Sequence, residues 1–190
     1  MHRVHGWNPA NEKWLSKKGR RRLFLEASVN PKSTAQIAGH PIHPMLIPFP
    51  IACFVLAFLS DLAFWRTSTD FWANASLWLL GIGLIMAALA AAMGLTDALG
   101  DVRIRNLTDA WLHAGGNIVA VVIELYNWYS RYEHGSAAIV PTGLVLSLVV
   151  VLILLFTGWK GWEMVYRHRV GVMEEITAEQ TSTATRRRAA

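Results

Sequence analysis

One cysteine, Cys53, is all that the 190-residue chain contains, which excludes an intramolecular disulfide and any cysteine-based zinc or iron–sulfur site. Charge is scarce as well: 16% of residues are Asp, Glu, Lys or Arg, against about 25% in an ordinary soluble domain. The stretch ahead of Pro44 holds no apolar run of the kind a signal peptide needs, so the amino terminus is expected to stay uncleaved and the first apolar span to act as the insertion signal. A Gly-rich phosphate loop, a metallopeptidase His-Glu-x-x-His spacing and a Ser-His-Asp arrangement are all missing. No enzyme class draws support from these residues.

What the chain has in abundance is apolar sequence, 53% of all residues. Crossing a hydrocarbon core of about 30 Å takes roughly 20 helical residues, and four stretches reach that length: about residues 45–65, 71–95, 111–132 and 140–161. The expected class is therefore all-α, an integral membrane four-helix bundle in contact with the lipid bilayer. Basic residues fix its expected orientation. Eight Lys or Arg precede the first span, Arg103 and Arg105 lie in the second loop, and six follow from Lys160 onward, leaving Arg66 and Arg131 as the two exceptions among 18. By the positive-inside rule both termini and the central loop are cytoplasmic, and the basic pI of 9.7 reflects topology with no nucleic-acid partner. Residues 1–38 read as a basic, disordered amino-terminal tail, 39–172 as the four-span domain, and 173–190 as a disordered cytoplasmic tail. Within the first tail, residues 14–25 mix Trp, Leu and Phe with Lys and Arg, a composition suited to an anionic lipid surface.

The domain opens on Gly39-His-Pro-Ile-His-Pro44. Pro41, Pro44, Pro48 and Pro50 remove four backbone donors, so a regular helix is expected only from Ile51. Ile51 to Trp65 is about 22 Å long, too short to cross, and residues 45–50 must enter the membrane as a kinked first turn. The second span is rich in small residues, and Gly83, Ala87 and Ala91 form a ridge that lets a neighbouring helix approach closely. The fourth span carries Gly143 and Ser147 at the same spacing and reads as a lipid-facing support helix. Trp159, Trp162 and Tyr166 mark its cytoplasmic interface.

The third span has one polar face. At 100° per residue His113, Asn117, Glu124, Asn127 and Arg131 fall within about 40° of the direction of His113. Ionisable groups at this depth face the bundle interior and take partners. Asp61, near the outer end of the first span, matches the depth of Glu124, Asn127 and Arg131, and Arg131 is placed to neutralise either Asp61 or Glu124, an ion pair with Asp61 being structural. At the cytoplasmic end Asp97, Asp101 and Asp109 lie near His113 and within reach of His40 and His43, and Thr96 and Asp97 read as the end of the second helix. Two polar clusters are expected, one at each end. Imidazoles ligate haem iron or transition metals and exchange protons near neutral pH. His43 or His40 with His113 would supply the two axial ligands of a haem b; a bare metal would need Asp97 or Asp109 as well.

The hexapeptide, continued through Met45-Leu-Ile-Pro-Phe-Pro50, the turn Gly94–Asp97, Ala110-Trp-Leu-His113 with Asn117, and Gly158-Trp-Lys-Gly-Trp-Glu-Met-Val-Tyr166 with Gly171-Val172 together resemble the bacterial four-span membrane family catalogued as domain of unknown function 2231. The resemblance covers about residues 38–172, and His-Pro-x-His-Pro is its most specific part. It implies an inner-membrane location and a layout similar to small haem-carrying membrane modules, some relatives being joined to Rieske-type or other redox domains. His40, His43, His113 and Asn117 carry over as cofactor-binding positions, with His43 and His113 as the iron ligands. The chain departs from the family pattern at Lys160 and Trp162, where glycine is commoner. Three functions compete at this point: a haem- or quinone-binding electron-transfer module working with a redox or membrane-protein partner, a proton- or ion-coupled carrier or accessory subunit using Glu124 and Asp61, and a structural protein that packs with a partner or with copies of itself through the ridge.

Overall fold

Proline placement decides how the bundle begins. The computed structural model describes residues 30–172; the basic segment 14–25 and residues 173–190 lie outside the described residues. A two-residue antiparallel pair, β1 (Gln36–Ile37) with β2 (His40–Pro41), turns through Gly39 at φ +83°. A single helical turn, α1 (Ile42–Leu46), follows, and after Ile47 the first long helix, α2 (Pro48–Thr67), starts with proline at its first position. Proline costs nothing there, because the first N–H groups of a helix have no internal acceptor. The helix thus starts three residues ahead of Ile51: of the stretch 45–50 expected as a kinked entry, residues 48–50 belong to α2, and the separate turn α1 lies earlier, at Ile42–Leu46.

Ser68, in the left-handed region at φ +52°, turns the chain into α3 (Asp70–Gly100). A short α4 (Val102–Arg105) connects to α5 (Thr108–His134). A 3-10 turn (Gly135–Ala138) and a π segment (Ile139–Gly143) lead into α6 (Leu144–Tyr166). The helical stretches Ile42–Thr67, Asp70–Gly100 and Thr108–Tyr166, the last divided by that turn into α5 and α6, are long and apolar enough to cross a membrane. At 1.5 Å per residue α3 is about 46 Å long, well beyond a hydrocarbon core of about 30 Å, so one end of it projects. Its terminal turns carry Thr96 and Asp97, which do not end the helix as the sequence suggested.

Residues 31–172 form one unit in which α2 packs most extensively on α3 and α5 on α6, while α2 touches α6 and α3 touches α5. That closes a four-helix ring around Phe54, Ala57, Leu80, Ala120 and Val150, all at most 2% exposed. Of the small-residue ridge, Gly83 is used inside this ring, where a Cβ would lie 2.6 Å from Phe54 Cε1, while Ala91 is exposed. Large apolar side chains such as Leu59, Trp78, Ile85, Val122 and Leu155 point outward, as lipid-facing surfaces do. The two ends of the unit meet, since the Gly171 N–H donates to the Pro31 carbonyl at 2.9 Å.

Candidate functional site

Two imidazoles sit at the end of the bundle where those chain ends meet, and both are held the same way. His43, on α1, has Nδ1 2.7 Å from the Ala90 carbonyl of α3; His113, on α5, has Nδ1 2.8 Å from the Thr157 carbonyl of α6. A carbonyl can only accept, so each Nδ1 carries a proton, and the neutral form of each ring then has its lone pair on Nε2. Four residues beyond each carbonyl stands a glycine. A Cβ on Gly94 would lie 3.0 Å from the His43 ring, and one on Gly161 would lie 3.2 Å from the His113 ring. The motif of a carbonyl with a glycine one turn on is therefore repeated on two helices, and each copy seats one imidazole. The ring centres are 6.2 Å apart with planes at 86°.

Asn117 completes this end. Its Nδ2 donates to the His113 carbonyl at 2.8 Å and approaches His113 Nε2 at 3.3 Å, and its Oδ1 accepts from Thr157 Oγ1 at 3.2 Å. Gly116 makes room for the Thr157 methyl. His40 is not brought to the pair. It lies on β2, is exposed, and its ring bonds the Ala38 carbonyl of its own turn at 3.1 Å, because the strand-to-helix change at Pro41 puts it on a different element from His43.

The acids expected beside the histidines are engaged elsewhere. Asp97 is buried, and its Oδ1 accepts from Ser33 Oγ (2.9 Å) and from the N–H groups of Thr34 and Ala35 (both 2.7 Å). Asp101 Oδ2 accepts from the Lys32 N–H at 2.9 Å. Residues 31–38, grouped with the amino-terminal tail in the sequence reading, are thus a strap fastened across α3. Its partners are backbone N–H groups, which no side-chain pattern announces. Asp109 pairs with Lys160 (3.1 Å) and His168 (2.9 Å), and Lys160 also reaches Glu163 at 2.7 Å.

Removing the Asp97 carboxylate leaves two strap N–H groups without an acceptor. Asp97→Ala is expected to cost the strap about 2 kcal/mol of local stability, roughly 30-fold faster amide exchange at Thr34 and Ala35, read by hydrogen–deuterium exchange. Mild acid is expected to do nothing comparable at Lys32. The Arg103 side chain holds the Asp101 carboxyl at about 2, against a smaller upward push from burial. A lowered carboxyl stabilises fully above its ordinary value of 3.8 and loses that contribution only as pH falls through about 2.

The opposite cluster draws on all four long helices. Arg131 and Asp61 form a two-pronged ion pair, Nη1 to Oδ1 at 2.5 Å and Nη2 to Oδ2 at 2.8 Å, and both side chains are at most 2% exposed. Ser76 of α3 donates to Asp61 Oδ1 at 2.6 Å, and Ser147 of α6 donates to Oδ2 at 2.7 Å. Arg131 Nη1 also meets Ser76 Oγ. Asn127 joins the two halves: its Oδ1 accepts from Arg131 Nε at 3.1 Å, and its Nδ2 donates to Glu124 Oε2 at 2.9 Å.

The polar face of α5 and the Asp61–Arg131 pair agree with the sequence reading. Ser76, Ser147 and Thr157 do not emerge from it, and α6 is a contributor to both clusters where a lipid-facing support helix was expected. The available signal is a hydroxyl at matching depth on each facing helix; by spacing alone Ser147 is a small residue four from Gly143. A family model described as "Predicted membrane protein (DUF2231)" matches residues 39–174. No curated protein and no solved structure matches the chain.

Proposed function

Because the chain belongs to the DUF2231 family of predicted membrane proteins, and is a multi-pass membrane protein, we propose that His43 and His113 are the axial ligands of a haem b in an electron-transfer module. The observation that carries this reading is the repeated seat. Each ring gives its Nδ1 proton to a helical carbonyl and keeps its Nε2 lone pair, the arrangement by which proteins orient and strengthen a ligating imidazole. With ring centres 6.2 Å apart, His43 and His113 are the two imidazoles that would hold the group. Bound haem would supply reversible one-electron exchange at its iron. The protein's part is to fix both rings before binding, through the Ala90 and Thr157 carbonyls and the space left by Gly94 and Gly161. Asn117 gives up only its long 3.3 Å approach to His113 Nε2 and keeps its bond to the His113 carbonyl.

The same proton placement argues against a quinone, whose carbonyl oxygens need donors where these rings present acceptors. A bare metal ion would need further ligands, and Asp97 and Asp109 are committed to the strap and to Lys160 and His168. Among the described residues no group of three or more His, Cys, Asp or Glu is placed to hold a metal ion, whereas a haem brings four nitrogens of its own. The Asp61–Arg131 knot is saturated by its own serines and serves to hold the bundle.

Titrating haem b into the detergent-purified chain tests the reading. A Soret band saturating at one haem per chain, unaffected by His40→Ala and abolished by His43→Ala with His113→Ala, is expected. Unsaturable absorption, or binding that survives the double substitution, would refute it.

The charge distribution further supports a bacterial inner-membrane protein with the histidine end and both termini in the cytoplasm. In a Cys53→Ser background, Ser136→Cys in the turn between α5 and α6 is expected to react with an impermeant maleimide on intact cells, and Gln36→Cys on the strap only after permeabilisation. The reverse pattern would invert the orientation.

A further inference from the structure

We propose that Glu124 is a proton-binding site, a carboxylic acid held neutral inside the four-helix knot at neutral pH. The inference rests on the hydrogen-bond inventory of the knot and is independent of the haem reading. Glu124 is fully buried. Its Oε2 accepts a single bond, from Asn127 Nδ2 at 2.9 Å, and its Oε1 is the one buried side-chain polar atom among the described residues without a partner.

The cluster holds two carboxyl groups and one cation, and the cation is committed. Arg131 spends Nη1 and Nη2 on Asp61 and Nε on Asn127. Asp61 also takes the hydroxyls of Ser76 and Ser147, so four donors mark it as the ionised acid. Every neighbouring element is accounted for. From α2 come Asp61 and Ser60, the latter bonded to the Leu56 carbonyl; from α3 comes Ser76; from α5 come Asn127 and Arg131; from α6 comes Ser147. None offers Glu124 a second donor. A buried carboxylate draws charge-assisted bonds to both oxygens, and with one amide donor between its two oxygens Glu124 is instead the neutral acid.

This gives the knot a titratable setting. Releasing the Glu124 proton to water leaves a second anion competing for one guanidinium. Asn127, which accepts from Arg131 and donates to Glu124, is the group through which that change passes to the Asp61–Arg131 pair.

Infrared spectroscopy of the full chain in lipid reads the proton directly. At neutral pH a protonated-carboxyl C=O stretch is expected that shifts when the glutamates are isotope-labelled, disappears at alkaline pH, and is lost in Glu124→Gln. Isotope labelling of the unsubstituted chain keeps the test valid should Glu124→Gln fail to fold. A glutamate region containing only carboxylate bands at neutral pH would overturn the assignment, as would a protonated band that persists in Glu124→Gln.

Discussion

Asp61→Asn is expected to destabilise the protein by about 3 kcal/mol or more, because breaking a buried ion pair by removing one partner leaves the other charge uncompensated. Asparagine keeps the size of the side chain, so packing around it changes little. What is lost is the only anion that meets Arg131 with both carboxylate oxygens, at a depth where solvent cannot substitute: Arg131 is 2% exposed and Asp61, Ser76 and Ser147 are fully buried. Ser76 of α3 and Ser147 of α6 each donate to a different oxygen of Asp61, and the asparagine NH2 leaves one of them without its acceptor in the same step, so the damage spreads beyond the pair. The double substitution Asp61→Leu with Arg131→Met removes both charges and is expected to recover most of the loss, since a well-packed apolar replacement of a buried pair is often close to neutral. Denaturant titration in detergent, followed by circular dichroism, measures both. Equal destabilisation by the single and double changes would mean that the pair contributes shape alone.

The second large effect is at the histidine end. His113→Ala and His43→Ala are each expected to abolish six-coordinate haem, because either change leaves one Nε2 where two are needed, and to leave the fold intact. Both rings are only partly buried, and each contributes a single hydrogen bond to a carbonyl that already serves its own helix, so removal costs about 1 kcal/mol of stability or less. Gly94→Ala and Gly161→Ala act on the same ligands without touching them. The added methyl would press on a ring at 3.0 Å or 3.2 Å and displace it, and weaker haem retention is expected in each. A purely structural pair of histidines would respond to none of these changes in a visible spectrum.

How much of this could be read in the sequence depended on contrast. Asp61, Glu124 and Arg131 interrupt apolar runs where a charge is costly, so their inward orientation follows from the sequence, whereas depth leaves two carboxylates open to Arg131 and only the structure selects Asp61. Ser76, Ser147 and Thr157 offered no such contrast, because a hydroxyl in a helix can satisfy itself on the preceding turn's carbonyl and so costs little wherever it stands. The strap was hidden for a different reason. Asp97 is held by main-chain N–H groups of residues 34 and 35 and by Ser33, and a backbone donor has no sequence signature. The histidine motif carried half of its meaning: the prolines marked a fixed entry, but only the turn from β2 into α1 separates His40 from His43. Gly94 and Gly161 are visible in the sequence only as members of longer motifs, and their role as seats depends on the rings that lie over them.

Visible absorption of the haem-loaded chain, oxidised and dithionite-reduced, beside His43→Ala and His113→Ala, decides whether the two seats act together. A Soret band with sharp reduced α and β bands in the unsubstituted chain, collapsing in each single variant, is the expected result. A featureless spectrum from protein expressed with ample haem, or bands that survive the loss of either histidine, would contradict a shared iron between α1 and α5.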